Sequence, residues 1–283
     1  MSSIVDQITT LYVQIDDYFQ AHPRATQWRR SPHRHPAFTD AEVVTVALLQ
    51  GCLGVAALKH AYRYAADNLR AAFPHLPSYP QWLARLHALS GVVGQFVQYF
   101  GEQAATGEGY YLLDSKPLPV CKPIRHGRVR LLRDEGAYFG KSSLGWFFGF
   151  KLHALVPESG AILTAVLTPG NWADPEVAPA LVASLQREWE GICLADVAYQ
   201  GEELFGDCAT EAALYLVTPA AALKGTQQRA LLSSVRERIE TVFSQLWNRF
   251  VDRVLSRSWE GLWSTVKLKM LHHNLCLAGV LPT

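Results

Sequence analysis

The sequence predicts an α/β domain preceded by a helical region. Three observations lead there. Up to about residue 105, apolar residues recur at helical spacing between capping signals and proline-rich connectors. From Gly109 onward, short apolar runs rich in aromatic and β-branched residues end on turn signals instead. Those runs then alternate with helical segments in the order three strands, helix, strand, helix, strand, helices, a mixed order compatible with several folds. The chain therefore divides into residues 1–105 and residues 106–283.

Each element has a local reason. The stretch "FTDAEVVTVALLQG" carries a capping box, with Thr39 as N-cap and Glu42 three residues on, and Phe38 and Val43 form a hydrophobic staple. Gly51 or Gly54 ends that helix. The connector "AAFPHLPSYP" leads into "PSYPQWLARLHALSGVVGQFVQYF", read as one further helix with Ser78 as N-cap, Pro80 in the first turn and Gln81 at the third position. The basic, proline-bounded "HPRATQWRRSPHRHP" reads as an exposed loop. In the second part, "GYYLLD" is a strand ending on Asp114. Next, "LGWFFGFKLHALV" and "AILTAVLTPG" are strands joined by a turn at "PESG". A helix follows in "DPEVAPALVASLQREWEG", with Asp174 as N-cap and Pro175 first inside it. "ICLAD" is a strand ending on Asp196, "GEELFGDCATE" is helical or turn-like, and "ALYLVTP" is a strand. Two amphipathic helices close the order, in "QQRALLSSVRERIETVFSQLWNRF" and "SWEGLWSTVKLKMLHHNLCLAGV".

Composition excludes several classes. With 283 residues, 49% hydrophobic and 18% charged, the chain can bury a full core and is not a disordered segment. No apolar run of about 18 residues exists, so no membrane span is expected. The first residues carry acids and no basic stretch, unlike a secretory signal. The five cysteines are scattered and none lies in a C-x-x-C pair, which argues against a disulfide framework or a zinc site and fits a reducing cytoplasm. A net charge of +1 says nothing about nucleic acid, but its distribution does. From Ser115 to Arg133 there are six bases (Lys116, Lys122, Arg125, Arg128, Arg130 and Arg133) and no acid. Such a run attracts a polyanion, and it is equally compatible with a solvated basic loop.

The chemistry rests on carboxylates. Asp114 ends "YYLL" and Asp196 ends "ICLA", so in one sheet both acids emerge at the same edge. A third acid must come from a neighbouring helix. At about 100° per residue, the apolar stripe of Val235, Ile239, Val242, Phe243, Leu246 and Phe250 leaves Glu240 at the border of the buried face. Glu237 points away, and Arg236 lies on the face of Glu240. Glu240 is therefore the better partner. Three converging carboxylates need a cation, and hard oxygen ligands suit Mg²⁺ or Mn²⁺. Two such ions, about 3.5–4 Å apart, serve phosphodiester chemistry. Taken singly, each feature also has a plain reading: a turn or cap for the aspartates, a solvated pair with Arg236 for Glu240, a satisfied core or edge residue for His153, and turn and packing for Asn171 and Trp172.

The segments "GYYLLDSKPLPV", "GFKLHALVPESGAILTAVLTPGNWADPEVAPAL", "CLADVAYQGEEL" and "RERIETVFSQL" with "RSWEGLWSTVKLKMLHHNL" together resemble bacterial insertion-sequence transposases of the DDE type. The N-terminal "LYVQIDDYF", "FTDAEVVTVALLQG" and "FPHLPSYPQWLARLHAL" resemble insertion-sequence family 982. The likeness runs from about residue 10 to residue 280. It implies an RNase H-like core, a mixed sheet flanked by helices behind a helical N-terminal region, with Asp114, Asp196 and Glu240 binding two Mg²⁺ or Mn²⁺ ions. It further implies cleavage of double-stranded DNA at terminal inverted repeats, transfer of the 3′-hydroxyl into target DNA, a homodimer on DNA, and a bacterial, nucleoid-associated location. Lys116, Lys122, Arg125 and Arg236 would contact phosphates, and Arg29, Arg30 and Arg34 would help recognise the repeats. Some relatives carry a Tyr before the Arg and a Lys after the Glu of the long helix. Here Ser233 and Trp247 stand there, and Arg249 or Arg253 could compensate. Only 44 positions separate Asp196 from Glu240, too few for the large inserted domain that hairpin-forming relatives tend to carry. A metal-dependent nuclease on the same core and a non-catalytic DNA-binding derivative are the competing readings.

Overall fold

The computed structural model describes residues 3–26, 36–105, 109–143, 145–185, 191–196, 199, 214–218, 226–249, 251 and 254–282. The N-terminal part is helical: α1 (Ile4–Ala21), α2 (Asp40–Cys52), α3 (Leu58–Asn68), α4 (Tyr79–Ala88) and α5 (Ser90–Ala104). The capping boxes at Ser3 with Asp6, Thr39 with Glu42 and Ser78 with Gln81 are all formed, each satisfying N–H groups that the first turn leaves without a helical partner. Phe38 and Val43 are both buried. Gly51 lies inside the last turn of α2, whereas Gly54 lies past its end, with φ +60°, a conformation cheap only for glycine. The single helix expected after Ser78 is instead two, because the chain bends at Leu89.

The α/β part is built on β1 (Tyr110–Cys121), β2 (Tyr138–Ser142), β3 (Gly145–Pro157), β4 (Thr164–Pro169), β5 (Gly191–Ala195) and β6 (Leu214–Val217). The path across the sheet is β2–β3–β1–β5–β6, and β4 also pairs with β3. Strands β2 and β4 share one edge of β3 end to end, against residues 145–149 and 150–155. Pairs among β1 to β4 are antiparallel, and β1–β5 and β5–β6 are parallel. Helix α6 (Asp174–Ala183) covers one face, and α7 (Thr226–Asn248) and α8 (Trp259–Leu277) lie on the other. This is the expected RNase H-like arrangement of a mixed sheet flanked by helices behind a helical N-terminal region.

Several expectations are corrected. β1 does not end at Asp114: it runs on to Cys121, paired with β3. Its β5 partner stops at Leu113↔Ala195, so among the described residues the second half of β1 has a neighbour on one side only. That is where a strand tolerates Pro117 and Pro119, which cannot donate an N–H to a second ladder. Strand β2 was not expected, and it forms a hairpin with β3. Asp174 is not an N-cap. Ala173 holds that position, and Asp174 opens α6 with its carboxylate turned to Lys151. The segment "GEELFGDCATE" lies outside the described residues.

Helix α8 ties the parts together. It packs most extensively on α5 and also touches α2, α4 and α7. It is buried along nearly its whole length, and one continuous core runs from Ile8 to Leu281. Three of its buried polar side chains are held by backbone groups: Lys267 Nζ donates to Ser90 O (2.5 Å), His273 Nε2 meets Gly160 O (2.9 Å), and Asn274 binds the backbone of Val97 and Ile162, whereas the Ser264 hydroxyl has no hydrogen-bond partner among the described residues.

Candidate active site

The site begins where two parallel strands part. The last β1–β5 pair is Leu113↔Ala195, and the next residue on each strand is an aspartate. Asp114 and Asp196 therefore hold neighbouring positions on strands about 4.8 Å apart. This is the crevice beyond the carboxyl ends of parallel strands, where open α/β sheets place their ligands. Both side chains point to the same face. Leu112, Leu118 and Leu194 join the larger core under α7 and α8, whereas Tyr111, Leu113, Cys193 and Ala195 join the smaller core with α6. Alternation along each strand puts Asp114, Lys116 and Asp196 on the α7 side. Both aspartates are half-buried.

Two anchors position α7 over β1. Near its middle, Arg238 donates from Nε to Glu158 O (3.1 Å) and from Nη2 to Ser159 O (2.9 Å), at the turn whose Glu158 N–H bonds Tyr110 O. Toward its end, Phe243 and Trp247 lie under the ammonium of Lys116, with Nζ 5.9 and 5.2 Å from the ring centroids. Glu240 falls between these anchors, alongside the stretch that ends on Asp114. Two residues turn a helix by roughly 200°, so Glu240 occupies the border opposite Arg238. Arg238 faces the end of β3, hence Glu240 lies on the border toward β5 and Asp196. Ile239, Val242, Phe243 and Leu246 are buried between the two borders. Both Glu240 and Glu237 are exposed. The fold thus puts Asp114 and Asp196 at neighbouring strand positions and carries Glu240 on the exposed border of α7, the helix packed on β1. It does not draw all three carboxylates into one cluster: among the described residues, no three His, Cys, Asp or Glu side chains stand close enough to hold a metal ion.

The basic run is an ordered surface. Lys116 is half-buried against α7, while Lys122, Arg125, Arg128, Arg130 and Arg133 are exposed. The turn that carries them is fastened to the β2–β3 hairpin. The His126 ring packs on Phe139 (4.6 Å) and Phe148 (6.0 Å), and Arg133 donates to His126 O. Trp146 and Lys141, paired across the same hairpin, are both exposed beside it. Arg29, Arg30 and Arg34 lie outside the described residues, as does the side chain of Arg236, whose backbone is in α7.

Sequence reasoning missed a polar group on the opposite face. Lys151 Nζ donates to Asp174 Oδ1 and to Trp172 O, both at 2.9 Å, and His153 Nδ1 stands 3.9 Å from the same carboxylate. His153 Nε2 meets Thr168 Oγ1 at 2.9 Å. Burial pushes the His153 imidazole down to about 4, against the upward pull of Asp174, so it is neutral at neutral pH. Tyr199, fully buried, is turned back by its N–H bond to Asp196 O (3.0 Å). Burial first, and then the carboxylates of Asp174, Asp114 and Asp196, raise its phenol well above the usual range and keep it protonated. Its hydroxyl has no hydrogen-bond partner among the described residues. The available signal was "ADVAY", a tyrosine three residues after the second acid.

Two side-by-side carboxylates form an oxygen-only donor pair whose mutual repulsion a hard divalent cation would relieve, and a third acid stands on the flanking helix. Exposed guanidinium and ammonium groups nearby suit a phosphate backbone. The sequence pattern of the family described as "Transposase DDE domain" matches residues 104–253, slightly more than half of the chain, and spans all three acids. No curated protein and no solved structure matches the chain.

Proposed function

The chain belongs to the transposase DDE domain family, and from that premise we propose that it is a DNA transposase of insertion-sequence family 982, cleaving double-stranded DNA at terminal inverted repeats and transferring the freed 3′-hydroxyl into target DNA. One observation carries the reading: Asp114 and Asp196 take the next positions after the last pair of β1 and β5, on the face that α7 covers. Asp114 and Asp196 hold Mg²⁺ or Mn²⁺, and Glu240 completes the donor set from α7. Bound there, two such ions supply activation of the attacking oxygen and stabilisation of the leaving one.

The chain's own groups do the rest. Lys116, pinned between β1 and α7, keeps a positive charge two residues from Asp114, where a scissile phosphate would lie. Lys122, Arg125 and Arg236 hold backbone phosphates and fix register without reading sequence. Residues 1–105, with Arg29 and Arg30, recognise the terminal repeats, and residues 106–283 carry the chemistry. Two ends must be joined, so the working form is a homodimer on DNA.

The test is metal-dependent nicking of a duplex carrying the terminal repeat, followed by strand transfer from a pre-cut end. Asp114→Asn, Asp196→Asn and Glu240→Gln each reduce nicking by at least about a hundredfold, the scale of losing a group that stabilises transition-state charge, with unchanged duplex affinity in the absence of metal. Glu237→Gln retains activity. Full activity of Glu240→Gln together with loss in Glu237→Gln would overturn the assignment of the third acid. Persistent hydrolysis without joined product would identify a nuclease.

A further inference from the structure

Beyond the acid pair, a cleft of about 690 Å³ opens between the N-terminal helices and the connection from α7 to α8. Its size lies within the roughly 300–1,000 Å³ that suits a ligand as large as a nucleotide. One wall is the start of α3 and the face of α4 with Tyr79 and Leu83, and the other is residues 251 and 255–258 with the first turns of α8. Among the described lining residues, Lys59, Arg257 and Lys269 are cationic, Ser256, Ser258 and Thr265 bring hydroxyls, and none is Asp or Glu. Glu260, on the first turn of α8, lies near His87 at the rim.

Core packing links the cleft to the sheet that carries the acid pair. Trp259, at the start of α8, packs on Phe150 with ring centroids 5.3 Å apart, and Phe150 pairs with Leu118 of β1. Leu118 is four strand residues past Asp114, about 13 Å, and Lys116 with Trp247 lies between. A DNA strand held at the acid pair and crossing Lys116 would need a few nucleotides more to reach the cleft. Apolar walls with an aromatic ring, and cations at the mouth, are the combination that seats unpaired bases while holding their phosphates. A duplex does not enter a space of this size.

We propose that this cleft is a subsite for one or two unpaired nucleotides beside the scissile position, with Tyr79 and Leu83 against the bases and Lys59 and Arg257 on the phosphates. The inference rests on the transposase reading, but its test does not require turnover. The full chain, without metal, is titrated by fluorescence anisotropy with a blunt duplex and with the same duplex bearing a five-nucleotide oligothymidine tail. In the wild type the tail tightens binding about tenfold. In Lys59→Ala/Arg257→Ala, both exposed positions, the gain falls to about twofold and the salt slope for the tailed duplex drops by about 1.4, two phosphates' worth for a single strand. Asp114→Asn keeps the full gain. No gain in the wild type, or an equal gain in the double variant, overturns the proposal. So does a monomer–dimer equilibrium that depends on Lys59 and Arg257 without any tail effect, which would assign the cleft to a second copy. If the tail gain behaves as expected while Asp114→Asn and Asp196→Asn still cleave, the catalytic reading fails and the cleft stands.

Discussion

Asn274 sits fully buried in α8, its amide divided among three backbone groups. Its Oδ1 accepts from Ile162 N (2.9 Å), and its Nδ2 donates to Ile162 O (2.8 Å) and Val97 O (2.7 Å). One side chain thereby joins α8 to α5 and to the loop before β4. Asn274→Ala strands these groups without water and costs about 3 kcal/mol or more. Asn274→Asp, which sets an acceptor against two carbonyls, costs more still. Urea unfolding checks both, and a loss under 1 kcal/mol for alanine would refute the bridging role. The sequence does not reveal such a residue, because its partners lie 112 and 177 positions away. Thr39 with Glu42 was readable for the opposite reason: both halves of the capping box lie within one turn.

Elements show the same divide between local and distant causes. The two apolar runs ending on aspartate, and the angular position of Glu240 on its helix, follow from spacing alone. The continuation of β1 past Asp114 does not, because Ser115 to Cys121 extends only once β3 is present to pair with it. Strand β2 was hidden because "YFGKS" is short and lacks apolar alternation. Close helix approach was equally hidden. A Cβ on Gly101 of α5 would come within 2.4 Å of Ile162 O and 3.0 Å of Asn274 Nδ2. Gly101→Ala gains about 1 kcal/mol in helix propensity, yet it must push α5 off the β3–β4 connection. Overpacking of this kind costs typically 1–3 kcal/mol, so the variant is less stable than the wild type, as chemical denaturation would record. Increased stability would mean that α5 moves without cost.

For the molecule as a whole, acidity is the weak side. Burial, the largest cause for each, lowers His153, His272 and His273 to about 4 from the ordinary 6.5. Folded, these rings stay neutral; unfolded, they take up protons near 6.5. The folded state therefore binds fewer protons in this window, and stability present above pH 6.5 is lost as pH falls toward 4. Tm should drop steeply between pH 6.5 and 4.5 in calorimetric scans. His273→Gln, able to keep a donor toward Gly160 O, should flatten that slope. An unchanged Tm across the window would show that these rings are not the source. The helix that carries two of these histidines has a further, temporal consequence. Val97 meets Asn274 only after 177 more residues have been polymerised, a delay of about 9–35 s at 5–20 residues per second. Until then the apolar faces of α2 and α5 stand open, so the nascent chain must be shielded from aggregation.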